Sequence, residues 1–206
     1  MTNPWLEILH TDYENHMSAV GQAQVLNKLM QRSLRAYQPE RFALLGCSTG
    51  NGLEHVNTDI TKAVFAIDIN PDYLSIVHKK FKRKIGNLKT INMDIARDEL
   101  KIEKINLFFV GLVLEYVEPI AALEKTITTL SQKGVLTIVI QKNKETAFVT
   151  KTQYKSLEKL SAISNEVDER EIDDFIKSKH LELHNRKELE LTADKSFILN
   201  EYRKKY

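Results

Sequence analysis

Three glycines and one carboxylate are the residues whose types and spacing could do chemistry. Gly46, Gly50 and Gly52 sit within Arg41-Phe-Ala-Leu-Leu-Gly-Cys-Ser-Thr-Gly-Asn-Gly52. The segment Phe42 to Gly46 is apolar without alternation, the pattern of a strand buried on both faces of a sheet. Leu53, Glu54, His55 and Val56 then read as the opening of a helix. A buried strand that breaks into a glycine-rich turn lets backbone approach a ligand, and a helix start would add unpaired N–H groups. A second apolar run, Ala63-Val-Phe-Ala-Ile-Asp68, ends on a carboxylate 22 residues after Gly46. A carboxylate at the tip of the second strand, about 20 residues past such a loop, is placed to hold ribose hydroxyls. The competing reading makes Asp68 a cap for the helix that starts at Pro71.

The glycine spacing is G-x-x-x-G-x-G, not the G-x-G-x-x-G of dinucleotide dehydrogenases. Leu45-Gly46-Cys47-Ser48-Thr49-Gly50 resembles the LxGxGTG loop of the class I S-adenosylmethionine-dependent methyltransferases, and the resemblance runs from about Arg41 to the C-terminus. It implies S-adenosyl-L-methionine as cofactor, bound by Gly46, Cys47, Ser48, Gly50, Asp68, Ile69, Asp94, Ile95 and Gly111. Within the resemblance Asp94 lies near the adenine; from the residues alone it could equally cap the turn Ile95-Ala96-Arg97-Asp98. Leu112-Val-Leu-Glu-Tyr-Val117 is similar to the family segment after strand four. Glu115 and Tyr116 there, with Tyr13 and His16 from an N-terminal covering segment, are the candidate catalytic residues. Tyr13 and His16 could instead be surface or capping residues, and His55 a packed or exposed helix histidine. The sequence departs from the family pattern at three places. Leu44 stands where many members carry an acid, Ser48 replaces the middle glycine, and Asn106 replaces an aspartate at the start of strand four.

The elements that must position these groups follow from periodicity. Residues 1–40 form an N-terminal helical cap, and 41–206 a Rossmann-like core, together one domain over 1–206. A helix from Ser18 is expected to end before Pro39, with Val25, Leu26, Leu29, Met30, Leu34 and Tyr37 on one face. Asn70 and Pro71 read as the cap and first residue of the helix after strand two. Lys79, Lys80, Lys82, Arg83 and Lys84 crowd its C-terminal end, where cations are favoured. Leu88–Met93, Ile105–Gly111 and Gly134–Ile140 read as strands three to five, with a helix from Pro119 before the last. Glu169 to Lys179 reads as a helix, and Leu181–Leu191 with Ser196–Tyr202 as an antiparallel hairpin around Thr192-Ala-Asp-Lys195. The fold class is therefore α/β, five parallel strands plus a C-terminal hairpin with helices on both faces. The resemblance supplies the strand order 3-2-1-4-5-7-6.

Composition narrows the function classes. A chain of 206 residues can bury a full core, and a net charge of +2 does not call for a nucleic-acid or membrane partner. The single cysteine, Cys47, excludes an internal disulfide and a multi-cysteine metal site. No metal ligand spacing, signal pattern or membrane-length apolar run is present, so the expectation is a cytoplasmic protein without a metal. The resemblance implies methyl transfer from a sulfonium, which needs binding, orientation and exclusion of water more than a catalytic constellation. Asp/Asn-Pro-Pro-Tyr/Phe is absent after strand four, and a lone cysteine rules out the two-cysteine route to 5-methylpyrimidines. A small-molecule acceptor follows as the expected partner, with its identity and the oligomeric state left open. The alternative function is a non-catalytic S-adenosylmethionine-binding sensor or interaction protein, and a nicotinamide dehydrogenase ranks third.

Overall fold

The apolar runs form strands because each must bury both faces. The structure, a computed structural model, describes residues 3–144 and 146–204, so the outermost residues of the expected 1–206 domain lie outside it. The strands are β1 (Arg41–Leu45), β2 (Ala63–Asp68), β3 (Leu88–Asn92), β4 (Ile105–Gly111), β5 (Leu130–Asn143), β6 (Leu181–Thr192) and β7 (Lys195–Lys204). They make one seven-stranded sheet in the order β3-β2-β1-β4-β5-β7-β6. The first five pair in parallel, while β7 runs antiparallel to both β5 and β6. This is the expected fold class and strand order.

Side-chain alternation along each strand feeds two cores. Ala43, Leu45, Phe65 and Phe108 face α4 (Pro119–Thr129) and α5 (Glu169–Ser178), which contribute Leu123, Ile127, Ile172 and Ile176. Phe42, Leu44, Val64 and Phe109 face α2 (Gln22–Tyr37) and α3 (Pro71–Phe81), which contribute Leu29, Met30, Leu34, Leu74 and Val77. Burying a Leu or Met side chain contributes about 1.5–3 kcal/mol, so the three buried α2 residues dock the N-terminal segment firmly. The helix starts are capped from the sequence: Asn70 Oδ1 accepts from Asp72 N–H at 2.9 Å and Tyr73 N–H at 3.3 Å. Glu118 and Asp168 cap α4 and α5 in the same way.

Three expectations need correction. The helix expected to start at Ser18 starts at Gln22 as α2, and Ser18 lies inside a separate helix before it, α1 (His10–Ala19). The break falls at Gly21, whose φ of 74° only a glycine adopts at little cost. No α-helix follows the glycine loop; Leu53–His55 is a single 3₁₀ turn. The helix face that would have covered β1 there is supplied by α2. β5 starts at Leu130, directly after α4, four residues before the expected Gly134.

Three of the lysines at the end of α3 find partners within the fold. Lys80 pairs with Glu14 at 2.7 Å, Lys82 donates to Gly86 O at 2.7 Å, and Lys84 donates to Glu54 O.

Gly50 serves packing. Its φ is +87°, and a Cβ there would lie 2.6 Å from Phe81 Cε2 and 3.2 Å from Leu53 Cδ1. Gly50→Ala is expected to lower stability by about 1–3 kcal/mol through this overlap and the unfavourable backbone. Adding Phe81→Leu should restore part of the loss, because it relieves the overlap and leaves φ unchanged. Urea midpoints of both variants measure this; an alanine variant as stable as the parent would refute it.

Candidate functional site

Parallel strands leave their C-terminal ends at one sheet edge, and the loops leaving that edge surround a cavity of about 160 Å³. Gly46, Cys47 and Ser48 leave β1, Asp68 ends β2, Asp94 and Ile95 follow β3, and Gly111 ends β4; all of them, with Ile69, line the cavity. Gly50 does not line it. The expected cofactor residues are thus gathered at one place, apart from Gly50, whose missing side chain makes room for Phe81 and Leu53.

Asp68 is the most constrained group in the site. Its Oδ2 accepts from Ser48 N–H at 2.7 Å and its Oδ1 from Asn70 N–H at 2.9 Å. Burial pushes its carboxyl up to about 6, against the opposing pull of those backbone N–H groups. An ionised carboxylate offers about four acceptor positions, of which the backbone N–H groups of Ser48, Asn70 and Ile69 occupy part. The cap of α3 is Asn70, whose own N–H Asp68 holds. Asp94 does close a turn: its Oδ1 accepts from Ala96 N–H at 3.0 Å, and Arg97 Nε lies 3.6 Å from Oδ2. It lines the cavity as well. Cys47 is buried, and burial followed by the Asp68 charge holds its thiol well above the usual range, an inert small side chain. Leu44 packs in the α2-side core, and Asn106 Oδ1 accepts from Arg41 N–H at 2.9 Å, a strand-edge role.

A roof of aromatic rings closes the cavity. Trp5 meets Tyr13 edge-on at 6.0 Å and Tyr116 at 5.1 Å; Tyr13 tilts against Tyr73 at 5.7 Å, and Tyr116 meets Phe148 at 6.0 Å. The roof is pinned to the α3 start, where Asn70 Nδ2 donates to Trp5 O at 2.9 Å and Tyr73 OH to Ile8 O at 3.0 Å. A second segment, from 148 to the 3₁₀ turn Lys155–Ala162, closes from the other side. It clasps α1 and its lead-in through Ser156 to Asp12 at 2.6 Å, Lys159 to Glu7 at 2.7 Å and Thr152 to His16 at 2.9 Å. Burial pushes the Tyr13 phenol up to about 12, only partly offset by a hydrogen bond with the Ser48 side chain.

Of the four catalytic candidates, Tyr13, His16 and Tyr116 line the cavity and Glu115 does not. Glu115 is fully buried. Its Oε1 accepts from Gln141 N–H at 2.7 Å, its Oε2 has no partner among the described residues, and burial pushes it up to about 7. It fastens the 3₁₀ turn after β4 to β5. Sequence reasoning missed Gln22, Gln141, Phe148 and Thr152. The His16–Thr152 contact spans 136 positions, and no local pattern announces it. Among the described residues no cluster could hold a metal ion, and no helix is long and apolar enough to cross a membrane.

A family profile described as a methyltransferase domain matches residues 44–138. The fold is similar to that of the N-methyltransferase NodS from Bradyrhizobium japonicum WM9 in complex with S-adenosyl-L-homocysteine. The two are 16% identical, with 89% of this chain and 87% of that one covered, at a TM-score of 0.66. A geranyl diphosphate methyltransferase in complex with SAM is 10% identical over 88% of this chain and 85% of that one, at a TM-score of 0.67. The [4+2]-cyclase SpnF is 13% identical over 80% and 75%, at a TM-score of 0.60. No curated protein matches the chain.

The buried Asp68 carboxylate has a stability signature. A folded-state value near 6 against 3.8 unfolded means its protonated form favours folding. That contribution is complete below the unfolded value and lost as pH rises through the folded one. Between pH 7 and pH 4 the wild type should therefore gain roughly 1–3 kcal/mol relative to Asp68→Asn, which has no proton to take up. Urea unfolding of the pair at both pH values reads the difference; a pH-independent gap would show that Asp68 is not a strained carboxylate.

Proposed function

We propose that the chain, whose residues 44–138 match a methyltransferase-domain profile and whose fold is similar to that of an N-methyltransferase, binds S-adenosylmethionine and methylates a small-molecule acceptor. The observation that carries the reading is Asp68, a buried carboxylate at the tip of β2 that lines the cavity and is held there by backbone N–H groups. Two vicinal hydroxyls of a ribose are the donors that this geometry suits. Ser48 and Asn70 N–H hold the carboxylate in place before any ligand arrives, which removes an ordering cost from binding.

The loop also separates this ligand from a dinucleotide. A pyrophosphate is held at the N-terminus of an α-helix, and here the glycine turn leads only into the 3₁₀ turn Leu53–His55. S-adenosylmethionine carries no phosphate and makes no such demand. When bound it supplies a methyl group on a cationic sulfur, and the carbon–sulfur electron pair leaves with the sulfur. The chain's own residues do the remaining work. Gly46, Cys47 and Ser48 bring backbone to the ligand, Asp68 holds the ribose, and Asp94 and Ile95 flank the adenine. Trp5, Tyr13 and Tyr116 exclude water, and aromatic faces are favourable neighbours for a cation. Orientation in such a closed site is worth roughly 7–11 kcal/mol of barrier.

A second reading keeps the binding and drops the turnover: a non-catalytic S-adenosylmethionine-binding protein. It is favoured by Leu44 and Asn106, which put core packing and strand pairing where many class I members carry acids. It predicts cofactor binding without formation of S-adenosylhomocysteine under any acceptor. In either reading the chain works as one cytoplasmic domain.

S-adenosylhomocysteine is expected to raise the melting temperature, and NAD is not. Asp68→Ala should lose about 2–3 kcal/mol of affinity for it, roughly 30- to 150-fold, since hydrogen bonds to a charged group are involved. Because the ionised carboxylate is the form that accepts from both hydroxyls, affinity should fall as pH drops through about 6, by up to ~10-fold at pH 5. Calorimetric titration at pH 7.5 and 5 measures both effects. Less than about threefold loss in Asp68→Ala would mean that Asp68 does not hold the ribose.

A further inference from the structure

We infer that the roofed half of the cavity takes a neutral, flat acceptor carrying a hydroxyl group, bound and deprotonated by His16 under the positioning of Thr152. The inference rests on the methyl-transfer reading above and adds the acceptor class and the proton's destination. Three observations on this half of the cavity carry it.

The first is shape and polarity. The walls are the rings of Trp5, Tyr13, Tyr116 and Phe148 together with aliphatic Leu157 and Leu160. These rings pack edge to face on one another, and the apolar surface they present to the cavity suits a flat apolar body against it. The only charged side chains among the cavity's lining residues are Asp68 at the tip of β2 and Asp94 after β3. Lys195, the cation that bears on His16, stands behind the wall and donates to Phe148 O and Thr150 Oγ1, each at 2.8 Å. A carboxylate or phosphate entering this half would lose its water and find no cation lining the wall, a large cost.

The second is which polar atoms are left open. Gln22 Nε2 donates to Gln141 Oε1 at 2.6 Å, and Gln141 Nε2 donates to Asn143 Oδ1 at 2.8 Å and Phe148 O at 2.9 Å. These bonds use up the Gln141 amide and leave Gln22 Oε1 as an acceptor. His16 engages only Nδ1, with Thr152 Oγ1 at 2.9 Å, so Nε2 has no protein partner among the described residues. A wall offering Gln22 Oε1 and His16 Nε2 calls for a ligand that brings donors, such as a hydroxyl.

The third is the support behind the histidine. Thr152 Oγ1 also accepts from Tyr154 N–H at 3.2 Å, which fixes the threonine. In the tautomer in which Nδ1–H donates to Oγ1, the imidazole lone pair is on Nε2 of this cavity-lining ring. Burial lowers the His16 value, so the ring enters the reaction neutral. When the acceptor oxygen gains its methyl group the O–H bond breaks, its electron pair stays on oxygen, and the proton goes to Nε2. The imidazolium then returns the proton to solvent. His16 is thus a catalytic residue and Thr152 a positioning residue.

The test uses the full-length protein saturated with S-adenosylhomocysteine and a matched pair of probes, 2-naphthol and 2-naphthoate, by calorimetric titration. The naphthol should bind at least ~10-fold more tightly than the naphthoate, and His16→Phe should lower naphthol affinity by ~10-fold or more. The affinity for S-adenosylhomocysteine itself should stay unchanged in that variant. Thr152→Val should weaken naphthol binding and Thr152→Ser restore it, a rescue that lost packing would not show. This pair carries the test if His16→Phe does not fold. Naphthoate binding as tight as naphthol, no binding of either probe, or full naphthol affinity in folded His16→Phe would overturn the inference. Failure of the parent protein to bind S-adenosylhomocysteine would overturn the methyl-transfer reading first, and this one with it.

Discussion

A buried carboxylate that accepts backbone N–H bonds from two loops organises this molecule. Asp68 ties the glycine turn after β1 to the start of α3 through Ser48 and Asn70. Asn70 in turn caps α3 with one amide atom and holds the Trp5 carbonyl with the other. Sheet edge, glycine loop, helix start and cavity roof are therefore joined within two residues of one side chain. Burial of its charge is unfavourable by itself, and the structure tolerates it because the surrounding N–H groups need an acceptor. A carboxylate held this way is rigid before any ligand is present, which suits recognition of a pair of hydroxyls.

The absent helix after the glycine loop follows the same logic. An α-helix there would point a positive dipole end at the cavity, the feature that phosphate ligands require. The chain instead makes one 3₁₀ turn and lets α2, arriving from the N-terminus, cover the α2-side core through Leu29, Met30 and Leu34. The segment that replaces the helix also leads directly from α1, so one stretch of chain both completes the core and roofs the site. Stability and access to the cavity are coupled through that stretch.

The roof sets the chemistry open to the cavity. Carboxylates stand at the tip of β2 and after β3, and the roof brings rings, amides and one imidazole. A cationic donor and a neutral acceptor would each meet the surroundings that suit them. Glu115 illustrates how proximity in sequence misleads: adjacent to Tyr116, which lines the cavity, it turns the other way and secures β5 through Gln141 N–H.

Much of this was legible in the sequence, for physical reasons. Strands β1, β2 and β4 are apolar without alternation because both faces are covered, and their short length, with the glycines at the ends of β1 and β4, separates them from a buried helix. Asn70 announces α3 because a cap is satisfied by N–H groups two or three residues away. Asp68 and the loop from Gly46 to Ser48 were legible because strand ends at one sheet edge must converge. The break at Gly21 and the 3₁₀ turn at Leu53 were not, since periodicity reports which residues are apolar and not whether the helix is continuous. Nor could local pattern assign Gly50, whose neighbour Phe81 lies on another element. The acceptor half of the cavity was decided only by tertiary structure. His16 meets Thr152, Gln22 meets Gln141 and Trp5 meets Tyr116 across separations of more than a hundred residues, and contacts of that range leave no period, cap or turn in the chain that makes them.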